Sequence, residues 1–244
     1  MIKIFGYELK RILVSWLFFA MLVANGVFAW FVLSTEIIMG IAYTAPFSVW
    51  SYCAYIGKTM LIAMITVLLM LAGYYGKKQK RVEILTLATP IKPAQQLIIR
   101  TAVLGVCFAI LCIEAAVLAA VFYSSLFHYT SFGIYIMPSV LLVVSCFVFA
   151  IGLGHLAGRV HQGLVYMLLA ILFIIGIGGI TNDFDLFGSG YFSTYPLSLP
   201  TDGSGEVLYV MDGAWVAARL VYLVVGILLF VVNIRVKYKR LFAI

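Results

Sequence analysis

The chain has 244 residues, 65% of them hydrophobic and 10% charged, with a net charge of +7 and a mean hydropathy of +1.14. Soluble domains carry roughly 25% charged residues, so this chain lacks the polar groups to cover a water-facing surface, and its expected solvent is lipid. The positive charge is no nucleic-acid signal, because the basic residues sit in short stretches between apolar runs, where they set topology and meet anionic lipid heads.

A bilayer core of about 30 Å takes roughly 20 apolar residues of helix. Six segments fit, at residues 12–33, 55–75, 97–123, 134–157, 163–180 and 214–234. The first is too long for a signal-peptide core and reads as a retained helix. The second has room to begin earlier, near Pro46. The fifth is the shortest, loosened at its outer end by Gly176, Gly178 and Gly179. Gly152, Gly154 and Gly158 in the fourth permit close helix approach. Cys107, Cys112 and Cys146 lie inside apolar runs and only Cys53 is placed to face outward, which speaks for small-residue packing rather than disulfides.

Lys and Arg orient the spans. Lys3, Lys10 and Arg11 precede the first; Lys77, Lys78, Lys80, Arg81 and Lys92 fall between the second and third, with Arg100 just beyond. Arg159 follows the fourth, and Arg235, Lys237, Lys239 and Arg240 follow the last. The alternate loops carry Glu36, Asp183, Asp185, Asp202, Glu206 and Asp212 instead. A six-helix plan puts every basic stretch on the cytoplasmic side, with both termini. The expected fold is therefore an all-α membrane protein, a single transmembrane domain over residues 1–244 with a cytoplasmic loop at 76–96 and an outer loop at 181–213. The outer loop mixes Gly, Pro, Ser and Asp with Tyr191, Phe192, Tyr195, Leu197 and Leu199. It reads equally as a solvated loop or as one lying on the outer interface with short helices.

The cytoplasmic loop is unusually patterned. After its basic cluster come Glu83, Ile84, Leu85, Thr86, Leu87 and Ala88, a helix-forming run with one apolar face, closed by Thr89-Pro90 and again by Lys92-Pro93. This is a short amphipathic helix at the membrane surface, suited to docking in a groove on a soluble partner. The plainer reading is an ordinary interfacial loop kept basic for topology.

The run Glu83, Leu85, Thr86, Leu87, Ala88, Thr89 and Pro90 resembles the cytoplasmic loop of ABC-2 type transporter permeases. Glu8-Leu9-Lys10-Arg11 followed by Ser15 is similar to that family's lead-in helix, and Gly152-Leu153-Gly154 through Gly158-Arg159 to Gln162 is similar to its four-to-five region. The resemblance implies a six-helix, type V exporter-like transmembrane domain whose residues 83–90 are the coupling helix of an ABC exporter. It implies a cytoplasmic ABC ATPase as partner, in two copies, carrying ATP and Mg. It also implies a second permease, identical or paralogous, and export of an amphiphile such as an antimicrobial peptide or drug, with lipid-linked glycan less expected. No cofactor is expected on this chain. A non-transporting scaffold or sensor recruiting a soluble partner through the same loop is the alternative.

Besides Arg100 at the cytoplasmic start of the third span, three charges fall within the spans. Glu114 lies in the third, Lys58 near the outer end of the second, and Arg219 inside the outer end of the sixth. A carboxylate at bilayer depth costs about 2.5–3.5 kcal/mol and must face protein or water. Lys58, Glu114 and Arg219 are thus candidates for a translocation path or gate; alternatively Glu114 is a structural partner of Lys58 or Arg219, or is simply protonated.

Other chemistry lacks its signatures. The phosphate loop GxxxxGK[ST], HExxH, the GxSxG elbow and the TVGYG filter are missing from the sequence. His128, His155 and His161 have no zinc spacing, and the latter two read as satisfied polar or interfacial residues. The chain is expected to be no enzyme and to hold no metal.

Overall fold

The computed structural model describes residues 2–76, 93–178, 182–201 and 207–239, which form helices and connecting turns without a strand. Residues 83–90, expected as the coupling helix, lie outside the described residues.

The chain opens with α1 (Ile2–Leu13). Phe5, Leu9, Ile12 and Leu13 turn toward the core while Lys3, Tyr7, Lys10 and Arg11 are exposed, the one-sided pattern of a surface helix. The first long apolar helix starts at Trp16 rather than near residue 12, because Ser15 caps it: its backbone is extended, and its Oγ accepts the Phe18 N–H at 3.2 Å. That helix, α2 (Trp16–Val32), runs on through a π turn at Leu33–Ile37.

The second, α3 (Val49–Tyr74), begins three residues after Pro46, with Ser48 as its N-cap. It is followed by α4 (Pro93–Phe127), α5 (Ile136–Val160), the shorter α6 (Gln162–Gly178), the six-residue α7 (Ser189–Thr194) and α8 (Gly213–Lys239). Short 3₁₀ turns, Phe132–Tyr135 and Tyr195–Ser198, lead into α5 and out of α7. Among the described residues five helices are long and apolar enough to cross a membrane. The 17 residues of α6 are equally apolar but span only about 26 Å.

The hub is α3. In its apolar stretch 72% of residues are buried, against 22–39% for the other four. It packs against α2, α4, α5, α6 and α7. Cys53, expected to face outward, is instead fully buried on α3. All four cysteines are free, and none but the half-buried Cys112 has appreciable exposure.

Glycine sets two of the closest approaches. On α5 and α8, a Cβ at Gly152 would lie 2.7 Å from the Gly226 carbonyl oxygen, and one at Gly226 would lie 2.6 Å from the Val148 oxygen. The two backbones therefore touch directly. Above that point Phe149 packs on Tyr222 with ring centroids 4.9 Å apart, and below it Asn233 Nδ2 donates to the Leu229 carbonyl at 2.9 Å beside Gly152. On α3, Gly57 faces the backbone of Phe187 and Ser189 so closely that no Cβ fits.

The long helices alternate in direction. One end of the bundle gathers Arg11, Tyr74, Tyr75, Arg100, Thr101, His155 and Asn233; this is the basic end. The other gathers Phe47, Trp50, Tyr52, Tyr123, Tyr135, Tyr191, Phe192 and Trp215; this is the aromatic end. The first and last helices, α1 and α8, bring both ends of the described chain to the basic side.

Candidate functional site

Lys58, Glu114 and Arg219 do not meet. A pair of Glu114 with Lys58 or Arg219 is feasible by depth, yet Glu114 Oε2 accepts a 2.9 Å hydrogen bond from Asn25 Nδ2 on α2. Asn25 is fully buried, and the same amide nitrogen also reaches the Leu111 carbonyl at 3.1 Å. Gly26, next to it, leaves room for Glu114 Oε1: a Cβ there would lie 2.8 Å from that oxygen. The Asn25-Gly26 pair thus opens a polar notch in an otherwise apolar helix, and the carboxylate rests in it. A lone amide in a run of apolar residues is the signal that sequence reading passed over.

Lys58 pairs instead with Glu36, at the end of the π turn after α2. Both side chains are partly exposed, at 33% and 42%, so the pair sits on the bundle surface rather than in a central path.

Arg219 is fully buried on α8. Its Nη1 donates to the Leu186 carbonyl at 2.8 Å and its Nη2 to the Asp185 carbonyl, and the guanidinium lies 5.0 Å from the Trp215 ring centroid. The Asp185 carboxylate bonds in turn to the N–H groups of Phe187, Gly190 and Tyr191, at 3.1, 2.7 and 3.3 Å. Burial pushes the Asp185 carboxyl above its ordinary value, and these N–H groups pull it partly back. The result is a braced turn. Arg219 holds its carbonyls, Asp185 ties its amides, Gly188 takes the left-handed conformation at φ 75°, and Gly57 lets it seat on α3. Trp50, Tyr191, Phe192, Tyr195, Tyr209 and Trp215 pack around it, with Tyr191 stacked on Tyr195 at 4.9 Å.

At the basic end a side-chain network joins three helices. Tyr75, just past α3, lies 2.8 Å from His155 Nδ1, and Thr101 Oγ1 on α4 lies 2.8 Å from His155 Nε2. Thr101 spends its one proton on the Leu97 carbonyl at 2.9 Å, so its oxygen accepts from Nε2–H and Nδ1 accepts the Tyr75 hydroxyl proton. His155 is 1% exposed and fully engaged, a satisfied polar residue. His161 Nδ1 accepts the Gly163 N–H at 3.0 Å and shapes the turn into α6. Gln162 Nε2 donates to the Ala72 carbonyl at 3.1 Å, tying that turn to α3. Tyr75 and Thr101 flank the loop that holds residues 83–90, so His155 bridges the two helices from which that loop departs.

No group of His, Cys, Asp and Glu that could hold a metal occurs among the described residues. The fold and these contacts define a class, a multi-pass helical bundle with a hub helix, a braced aromatic end and a basic end. No protein-family model, no curated protein and no solved structure matches this chain.

Proposed function

We propose that the chain is the transmembrane subunit of an ATP-driven exporter of the ABC-2 type. Gln162–Gly178 serves as its sixth span, the basic end faces the cytoplasm, and residues 83–90 are the handle for a separate ATPase. The observation that carries this reading is the position of α3. The loop holding the handle leaves directly from the hub helix, the most buried in the bundle, and returns into α4. A force applied to that loop acts on the element that contacts most of the others.

In this mechanism two copies of the ATPase bind ATP and Mg and bind the handle of each of two permeases, identical or paralogous. Closure of the ATPases shifts α3 and α4 relative to the remaining helices. The coupling is energetic because the ATPase groove contacts the handle differently in its open and closed states. Glu114 in its notch on α2 lies at the α2–α4 seam, where relative motion would expose or cover it. The cargo on this reading is an amphiphile such as an antimicrobial peptide or a hydrophobic drug.

The deciding experiment is purification in mild detergent of the wild type and of Leu87→Asp, with ATP hydrolysis measured on the complex. An ATPase chain should co-purify with the wild type, respond to cargo, and be lost from the folded variant. A folded Leu87→Asp chain with its ATPase still bound and coupled refutes the handle. So does labelling of Gln79→Cys by an impermeant reagent from outside the cell.

A further inference from the structure

The basic end contains a second arrangement that the transport reading does not use. Arg100, two turns into α4, is 6% exposed, and its Nε and Nη2 have no hydrogen-bond acceptor. These two N–H groups form one edge of the guanidinium, the parallel fork that binds two oxygens of a carboxylate or phosphate together. The guanidinium carbon lies 4.9 Å from the centroid of the Tyr74 ring. Tyr74 is likewise 6% exposed; Arg11 approaches its hydroxyl as a donor, and the hydroxyl's own proton has no acceptor. A second guanidinium, that of Arg11 on α1, stands 5.7 Å from the same ring. Arg11 is 42% exposed and pairs with Glu8 at 2.7 Å, the carboxylate of this cluster.

Burying a guanidinium edge and a phenol without acceptors is costly, because each forfeits its water without replacement. Cation–π contact with Tyr74 offsets part of that cost through the ring face but leaves the N–H edge unanswered. The unpaired donors converge from α3 and α4, and Arg11 adds a further positive charge from α1. Glu8 neutralises only one of the two arginines. The complement is a compact anion with acceptors in several directions, which a tetrahedral phosphate supplies and a planar carboxylate supplies less well. The cluster lies at the basic end of the bundle, where α1, a surface helix with Lys3 and Lys10 exposed, meets α3 and α4, and cationic side chains at a helix end attract anionic lipid headgroups.

We propose that Arg100, Tyr74 and Arg11 form a binding site for a phosphate group. The group is supplied by an anionic phospholipid wedged between α1 and the starts and ends of α4 and α3, or by free phosphate. Arg100 grips two phosphate oxygens through its Nε–Nη2 edge, Tyr74 donates to one of them, and Arg11 closes over the group from α1. Occupancy fastens α1 to the hub.

The test is done on the full chain in neutral maltoside micelles, with native mass spectrometry and thermal unfolding as readouts. Phosphatidylglycerol, diacylglycerol of the same acyl chains, and inorganic phosphate are added separately. Phosphatidylglycerol should be retained by the wild type and raise its unfolding temperature, while diacylglycerol should not. Arg100→Gln should weaken retention about tenfold or more, the scale of a lost charge-assisted hydrogen bond. Tyr74→Phe, which keeps the ring, should weaken it severalfold and serves where Arg100→Gln fails to fold. Inorganic phosphate reproducing the whole effect supports the site with free phosphate as occupant. Equal stabilisation by diacylglycerol overturns the proposal, as does undiminished phosphatidylglycerol retention in both folded variants, or in Tyr74→Phe when it alone folds.

Discussion

The braced turn at the aromatic end and the His155 network at the basic end use polar groups differently. At the aromatic end, side chains bond to main chain: Arg219 to two carbonyls, Asp185 to three amides, Tyr55 to the Ala115 carbonyl at 2.8 Å. At the basic end side chains also bond to one another, across three helices in Tyr75–His155–Thr101 and within α1 in Glu8–Arg11, beside main-chain bonds such as Gln162 to the Ala72 carbonyl, and Arg100 keeps its Nε–Nη2 edge unpaired. A bond to main chain cannot be exchanged without moving the backbone. A bond between side chains can re-pair by rotamer change. The braced turn is thus built to hold a shape, and the Tyr75–His155–Thr101 network to alter its connections at low cost.

The sharpest way to break this contrast is Arg219→Leu. It strands two buried carbonyls and releases the braced turn, and should cost about 3–5 kcal/mol, read by unfolding in detergent. A loss below about 1 kcal/mol would mean that Asp185 and the surrounding rings hold the turn without Arg219. Gly57→Ala comes next. Its new Cβ meets backbone at Phe187 and Ser189 rather than a flexible side chain, so about 1–3 kcal/mol of overpacking is expected. His155→Phe should cost about 1–2 kcal/mol in stability. Its more telling readout is hydrogen exchange, which should rise at residues 72–76 and 97–101 and stay level around Asp185. Asn25→Ala removes the amide that holds Glu114 and should cost about 0.6–1.7 kcal/mol. Glu114→Gln preserves an acceptor for Asn25 and should be nearly neutral in stability, so export that falls in that variant would assign the charge a role in transport.

The smallest effect is a pH dependence. Burial holds the Asp185 carboxyl above its ordinary value of 3.8, so the folded chain binds that proton more tightly than the unfolded chain. Its contribution to stability grows as pH falls from neutral through the folded value and levels off below the unfolded one. Asp185→Asn should flatten that gain, read by unfolding in detergent across the acid range.

The apolar runs were legible because a bilayer-length helix leaves a compositional mark: every expected span overlaps an apolar helix of the structure, α6 being the short one. The caps were partly legible, since Ser15 and Ser48 each precede a run, yet Ser15 also splits residues 12–33 into a surface helix and a span. The contacts of the charges were not legible. Sequence order places Lys58, Glu114 and Arg219 within spans, but partner choice depends on helix rotation and on neighbours such as Asn25, Glu36 and the 184–188 turn. Arg100 was grouped with the topology-setting cations, and nothing local in the chain reveals that it folds inward over Tyr74.

Composition and hydropathy by themselves determined that this chain is helical and apolar enough to cross a membrane, because the free energy of burying unbonded backbone in lipid leaves few other solutions. Periodicity and proline placement marked where helices begin and pause. Which helix became the hub, which glycines touch backbone, and which charge met which partner were decided only in three dimensions. Those outcomes depend on packing between segments dozens of residues apart, where a rotation of one helix exchanges one set of neighbours for another.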